Sequence, residues 1–162
     1  MGTDWSEVTR RVAVEAASPH PEDVVLVIGS DAGVVDALRP RVRRVEILPL
    51  SPTVSVPAGV SVVVLHDALR RLAPEGQAAL LRRLGAALPP RALLVIGDVM
   101  WSMPRSMVDE PEQFGDAIEH ASTVEALERQ LRSAGFLPDT HRFGVGRAVC
   151  IALRGPNAGP SA

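Results

Sequence analysis

The sequence predicts an α/β domain: a doubly wound, mostly parallel sheet with helices on both faces and a C-terminal antiparallel hairpin. Three observations predict it. Short apolar runs alternate with helix-patterned segments along the 162 residues. The runs at 24–28, 60–65 and 92–96 are almost wholly apolar rather than alternating, as strands covered on both faces are. Two final segments, near 141–143 and 148–153, are joined by a short turn holding Gly144 and Gly146, which suits a hairpin.

The elements follow in order. A first helix is expected over 4–17, where Trp5, Val8 and Val12 share a stripe and Asp4 with Glu7 has the form of a capping box. Pro19 and Pro21 end it. The strand 24–28 leads through Gly29 and Gly33 into a second helix, 33–38, stopped by Pro40. Residues 44–48 read as a strand and 49–57 as a Pro/Ser-rich loop. The strand 60–65 precedes a helical turn over 67–72. Pro74 opens a longer helix, with Leu80, Leu81, Leu84, Ala87 and Leu88 toward the core and Arg82 and Arg83 outside. Pro89 and Pro90 close it. The strand 92–96 ends at Gly97 and Asp98, and 99–119 carries no regular pattern. Ser122-Thr-Val-Glu125 has the form of a capping box for a helix that stops at Gly135. The hairpin strands are expected near 141–143 and 148–153. There is no internal repeat. One domain, 1–154, is expected, followed by a solvated tail, 155–162.

Composition excludes several chemistries. The hydrophobic fraction is 46% and mean hydropathy +0.15, as in folded domains. Net charge is −2, so no basic field points to nucleic acid or an anionic membrane. All 17 basic residues are Arg. Without Lys there is neither a Walker A loop nor a Schiff base. The chain has no Tyr. The single cysteine, Cys150, excludes an internal disulfide and any multi-Cys metal site, and the four His show no HExxH spacing. No metal is expected. At 3% aromatic residues, base stacking has little to work with. No run has the length of a membrane span, and the N-terminus lacks the apolar stretch of a secretory signal. A cytoplasmic protein is the expectation.

In such a sheet, ligands bind beyond the carboxyl ends of the strands. Those ends are 29–33, 49–51, 66–67 and 98–102. Gly29-x-x-x-Gly33 is not the dinucleotide fingerprint, so it reads either as a ligand-approach turn or as a tight turn alone.

At these positions the chain resembles the class I S-adenosylmethionine-dependent methyltransferases, particularly their small type 11-like members, over about 23–153. VVLVIGSDAG stands where that family has its glycine-rich first motif. VSVVVLHDALRRLAPEGQAALLRRLGAALPPRALLVIGDVMWS is similar to its fourth strand, following helix and fifth strand. STVEALERQLRSAGF is similar to the helix before its last hairpin. The resemblance implies a Rossmann-like sheet with S-adenosylmethionine over the first motif. The residues it points to for the cofactor are Gly29, Ser30, Asp31, Gly33, Glu46, Leu50, His66 and Asp67.

The chain also departs from the family pattern. Val27 stands where an acid is usual, Asp31 replaces the middle glycine, and the ribose-gripping acid would fall at Pro49, with Glu46 nearby. Asp31 reads either as a substitute ribose acceptor or as a helix N-cap. His66 follows Gly29 by only 37 positions, too few for two full strand–helix units. One unit is therefore missing: strand three, or strand two if Leu48-Pro49-Leu50 is the family's third-strand element.

His66 and Asp98 are the candidate proton acceptors. His66 reads equally as a packing residue, and Asp67 as the cap of the next helix. Trp101 and Met103 read either as a substrate wall or as a lid segment folding onto the core. His120 reads as a loop residue, Cys150 as a buried inert thiol, and the Arg pairs 43–44, 70–71 and 82–83 as solvated faces. Two functions are carried forward: methyl transfer to an unidentified small molecule, or a methyltransferase-like binding or assembly module without catalysis. A homodimer is expected, because a missing unit uncovers apolar surface.

Overall fold

The structure, a computed structural model, describes residues 2–100, 121–144 and 146–156. Six strands form one sheet: β1 Val24–Ile28, β2 Arg44–Leu48, β3 Val62–His66, β4 Leu93–Val99, β5 Phe136–Arg142 and β6 Arg147–Arg154. The order across the sheet is β2-β1-β3-β4-β6-β5. The first four are parallel, and β6 runs antiparallel to both β4 and β5. The usual doubly wound order is 3-2-1-4-5-6. Here β2 pairs directly with β1 and, among the described residues, no strand follows it outward, so strand two is present and the outer strand is the one lacking there. Residues 49–61 make the parallel crossover from β2 to β3 without a helix.

Side chains alternate strictly along the central strands. Leu26, Ile28, Val63, Leu65, Leu94 and Ile96 face α3 (Pro74–Ala87) and α4 (Val124–Ser133), against Leu80, Leu84, Leu127 and Leu131. Val25, Val27, Val62, Val64 and Val95 face α1 (Trp5–Ala16) and α2 (Ala32–Leu38), against Ala13, Val14, Val34 and Leu38. That is the reason the apolar runs are continuous in sequence.

Several expectations change in detail. On α1 the buried residues are Thr9, Ala13 and Val14 rather than the Trp5-Val8-Val12 stripe. Trp5 packs instead on Gly144, where a Cβ would lie 2.5 Å from its ring. The cap of α4 is Thr123, whose hydroxyl accepts from Ala126 N–H at 3.1 Å; Ser122 donates to Gln77. β4 runs on through Gly97 and Asp98, because β6 pairs with it that far. The hairpin is longer than expected at its outer strand, which tolerates Pro138 at the sheet edge.

Candidate active site

Three strand ends meet at one mouth. β1 ends at Gly29, whose φ of +117° no ordinary side chain adopts; its N–H donates to Leu48 O at 2.9 Å and so ties β1 to β2. A Cβ on Gly29 would stand 3.2 Å from that of Ala68. β3 ends at His66, and Asp67 turns away at φ +51° with its N–H on Gly97 O. Pro49 and Leu50 follow β2. Between these ends lies a cleft of about 770 Å³, within the range of small-molecule sites. Gly29, Ser30, Asp31 and Gly33 line one side, Ile47, Pro49 and Leu50 a second, and His66, Asp67, Ala68 and Arg71 a third; Arg10 reaches in from α1.

The floor is an ionic network. Asp31 caps α2, accepting from Val34 N–H at 3.2 Å. It also accepts from Arg10 Nε at 3.0 Å and from His66 Nδ1 at 2.6 Å. Burial works against the Asp31 charge, but the His66 and Val34 hydrogen bonds outweigh it and hold the carboxyl below its ordinary value. His66 has no exposed side-chain surface, and its Nε2 lies 3.1 Å from Thr9 Oγ1. Asp67 accepts from Ser6 Oγ at 2.7 Å, Arg147 Nη1 at 2.7 Å and Arg70 Nη1 at 2.9 Å. Burial again opposes this charge, and the Arg147 and Ser6 hydrogen bonds overcome it, bringing the carboxyl to about 2. Arg70 continues to Asp98 at 2.5 Å. Asp98 is 3% exposed, and burial raises its carboxyl despite Arg70.

Seven of the residues singled out for the cofactor line this cleft: Gly29, Ser30, Asp31, Gly33, Leu50, His66 and Asp67. Glu46 does not; it sits mid-strand, ion-paired to Arg44 at 2.8 Å. Asp98 does not either. It lines a separate void of about 10 Å³ beside Arg70 and Met100. Trp101, Met103 and His120 lie outside the described residues. Asp67 caps no helix, and Arg70 is not a solvated residue but the link between two carboxylates. Cys150 is buried in β6, and burial pushes its thiol up to about 11.

Sequence reasoning missed the residues that complete the network: Ser6, Thr9, Arg10 and Arg147. The first three had a signal. They stand at i, i+3 and i+4 on α1, next to the buried Ala13, so a polar patch abuts a core stripe. Gly33 had another reading too. A Cβ there would lie 2.9 Å from Arg10 Cδ, so Gly33 makes room for Arg10; Gly97 does the same for His66.

Sheet order and the helices on both faces give a Rossmann-like fold, the one that class I S-adenosylmethionine-dependent methyltransferases of known structure share with this chain. No family model matches the chain, and no curated protein matches it. Solved structures do. An O-methyltransferase family protein from Burkholderia thailandensis superposes at TM-score 0.71 and 15% identity, over 94% of this chain and 57% of that one. The same organism's 1,6-didemethyltoxoflavin-N1-methyltransferase, solved with bound 1,6-didemethyltoxoflavin and S-adenosylhomocysteine, gives 0.68 and 16%, over 93% and 78%. Human N-acetylserotonin methyltransferase in complex with S-adenosylmethionine gives 0.67 and 14%, over 93% and 54%. The chain thus spans little more than half the length of the first and the last of these. Among the described residues, no helix is long and apolar enough to cross a membrane.

Proposed function

We propose that the chain is a methyltransferase that binds S-adenosylmethionine over Gly29–Gly33 and methylates a small molecule. The observation that carries this is the open cleft of about 770 Å³ at the ends of β1, β2 and β3, one side of it formed by a glycine in a conformation closed to other residues. An apolar side at Ile47 and Leu50, and a turn whose backbone a ligand can approach, support this reading. When bound, the cofactor supplies a methyl group on a sulfonium, and the protein's part is alignment.

The carboxylates bear on affinity. Asp31 and Asp67 have their acceptor oxygens engaged by Arg10, His66, Ser6 and Arg147, and Pro49 stands at the end of β2. No carboxylate among the described cleft residues is left over for ribose hydroxyls. A charged hydrogen bond of that kind contributes about 1.5–3 kcal/mol, so binding is expected to be roughly ten- to a hundredfold weaker than in a site that has one. His66 is the positioning residue of this reading: through Asp31 it holds the glycine turn. Asp98 acts at one remove, holding Arg70 beneath Asp67.

A melt with S-adenosylhomocysteine tests the reading. At a hundredfold excess over Kd, a native-state binder gains about 2.7 kcal/mol, which is about 5–10 °C for a chain of this size. No shift at saturating ligand would leave the fold as a binding or assembly module. His66→Ala is expected to weaken that binding about tenfold, read by calorimetry. An unchanged Kd would remove His66 from the site.

A further inference from the structure

Among the described residues the sheet ends at β2. That strand has β1 on one side, and no strand or helix among the described residues lies on the other. The 49–61 crossover does not cover this edge, because its Val54, Val56 and Val60 pack into the core on the α3 face. Ile47 is 45% exposed there. An uncovered strand edge carries backbone donors and acceptors ready to pair with another strand.

The charges on β2 specify which strand that is. Arg44 and Glu46 stand two residues apart, hence on one face, with opposite signs. Two copies of this strand, run antiparallel about a two-fold axis, must pair residues of like parity. Centring the axis on Arg44 sets Arg44 against itself. Centring it on Glu46 sets Glu46 against itself. Centring it on Val45 sets Arg44 of each copy against Glu46 of the other, twice. Opposite charges across an antiparallel pair stabilise it, and like charges destabilise it.

We propose that this chain forms a homodimer by antiparallel pairing of β2 with β2 of a second copy, in the Val45-centred register. The second copy then stands where the fold's outer strand is missing. It also lies alongside Ile47, which is both a β2 residue and part of the cleft wall. The interface is isologous, as a closed dimer requires. This inference stands apart from the methyl-transfer reading and survives if that reading fails.

Sedimentation of the full chain and three variants tests it. The wild type is expected to show a concentration-dependent monomer–dimer equilibrium; a monomer at every concentration would overturn the proposal. Arg44→Glu places four acids along the joint, and Glu46→Arg four guanidiniums. Each is expected to weaken self-association about tenfold or more. Mixing the two single variants is expected to restore a dimer, because each then presents what the other lacks. The double variant R44E/E46R is expected to dimerise with itself. Single variants that dimerise as the wild type does, or a mixture that stays monomeric, would place the interface elsewhere. Both positions are surface sites, so circular dichroism of each variant is expected to match the wild type.

Discussion

At the scale of the residue, one charge in the cleft floor ties three parts of the chain together. Asp67 joins α1, the 3-10 turn after β3 and β6 through Ser6, Arg70 and Arg147. Its carboxyl lies at about 2, below the ordinary 3.8. A lowered carboxylate contributes stability that is present above the unfolded value and is lost as pH falls through the folded one. The shift corresponds to about 2 kcal/mol. Asp67→Asn is therefore expected to unfold at lower urea at neutral pH, by about 2 kcal/mol. The gap between variant and wild type is expected to shrink as pH falls from about 4 toward 2. A gap that stays constant over that range would mean the ion pairs do not act through the Asp67 charge. None of this was legible in the residue itself. Asp67 stands beside His66 in sequence, but Arg147 comes from 80 positions away.

At the scale of the element, the packing of α3 against α4 turns on one glycine. Gly85 is buried on α3, and a Cβ there would overlap the carbonyl oxygen of Ala134, just past the end of α4. Elsewhere in a helix, replacing Gly by Ala stabilises by about 0.5–1 kcal/mol. Here the backbone past the end of α4 would have to move, and overpacking of that kind costs about 1–3 kcal/mol. Gly85→Ala is thus expected to lower the urea midpoint, and a rise would show that the two helices are not in contact there. Arg154 reinforces the same joint from β6, donating to Gly85 O at 2.6 Å. Element types were legible because their causes are local: apolar runs, Pro at the opening of α3, a capping pattern before α4, although the cap proved to be Thr123 rather than Ser122. Element ends were less so. β4 extends past Ile96, and β5 begins at Phe136, because partner strands continue there and the ladder continues with them.

At the scale of the whole molecule, two apolar layers share one set of strands. Val63 and Leu65 belong to one, Val62 and Val64 to the other, so neither layer can open while β3 keeps its place. One cooperative transition is expected in calorimetry, with van't Hoff and calorimetric enthalpies equal; two transitions would show separable units. The chain by itself determined the α/β class, the number and kind of most elements, and the strand ends at which a cleft must open. It did so because burial on two faces leaves a continuous apolar signature, and because glycine is needed where φ turns positive. Tertiary structure alone decided which strand unit is absent, that Glu46 and Asp98 stand away from the cleft, and that Asp31 and Asp67 are already paired. Those outcomes depend on contacts between residues 20 to 80 positions apart. A carboxylate's availability depends on what folding brings within hydrogen-bond reach, and no local pattern encodes that.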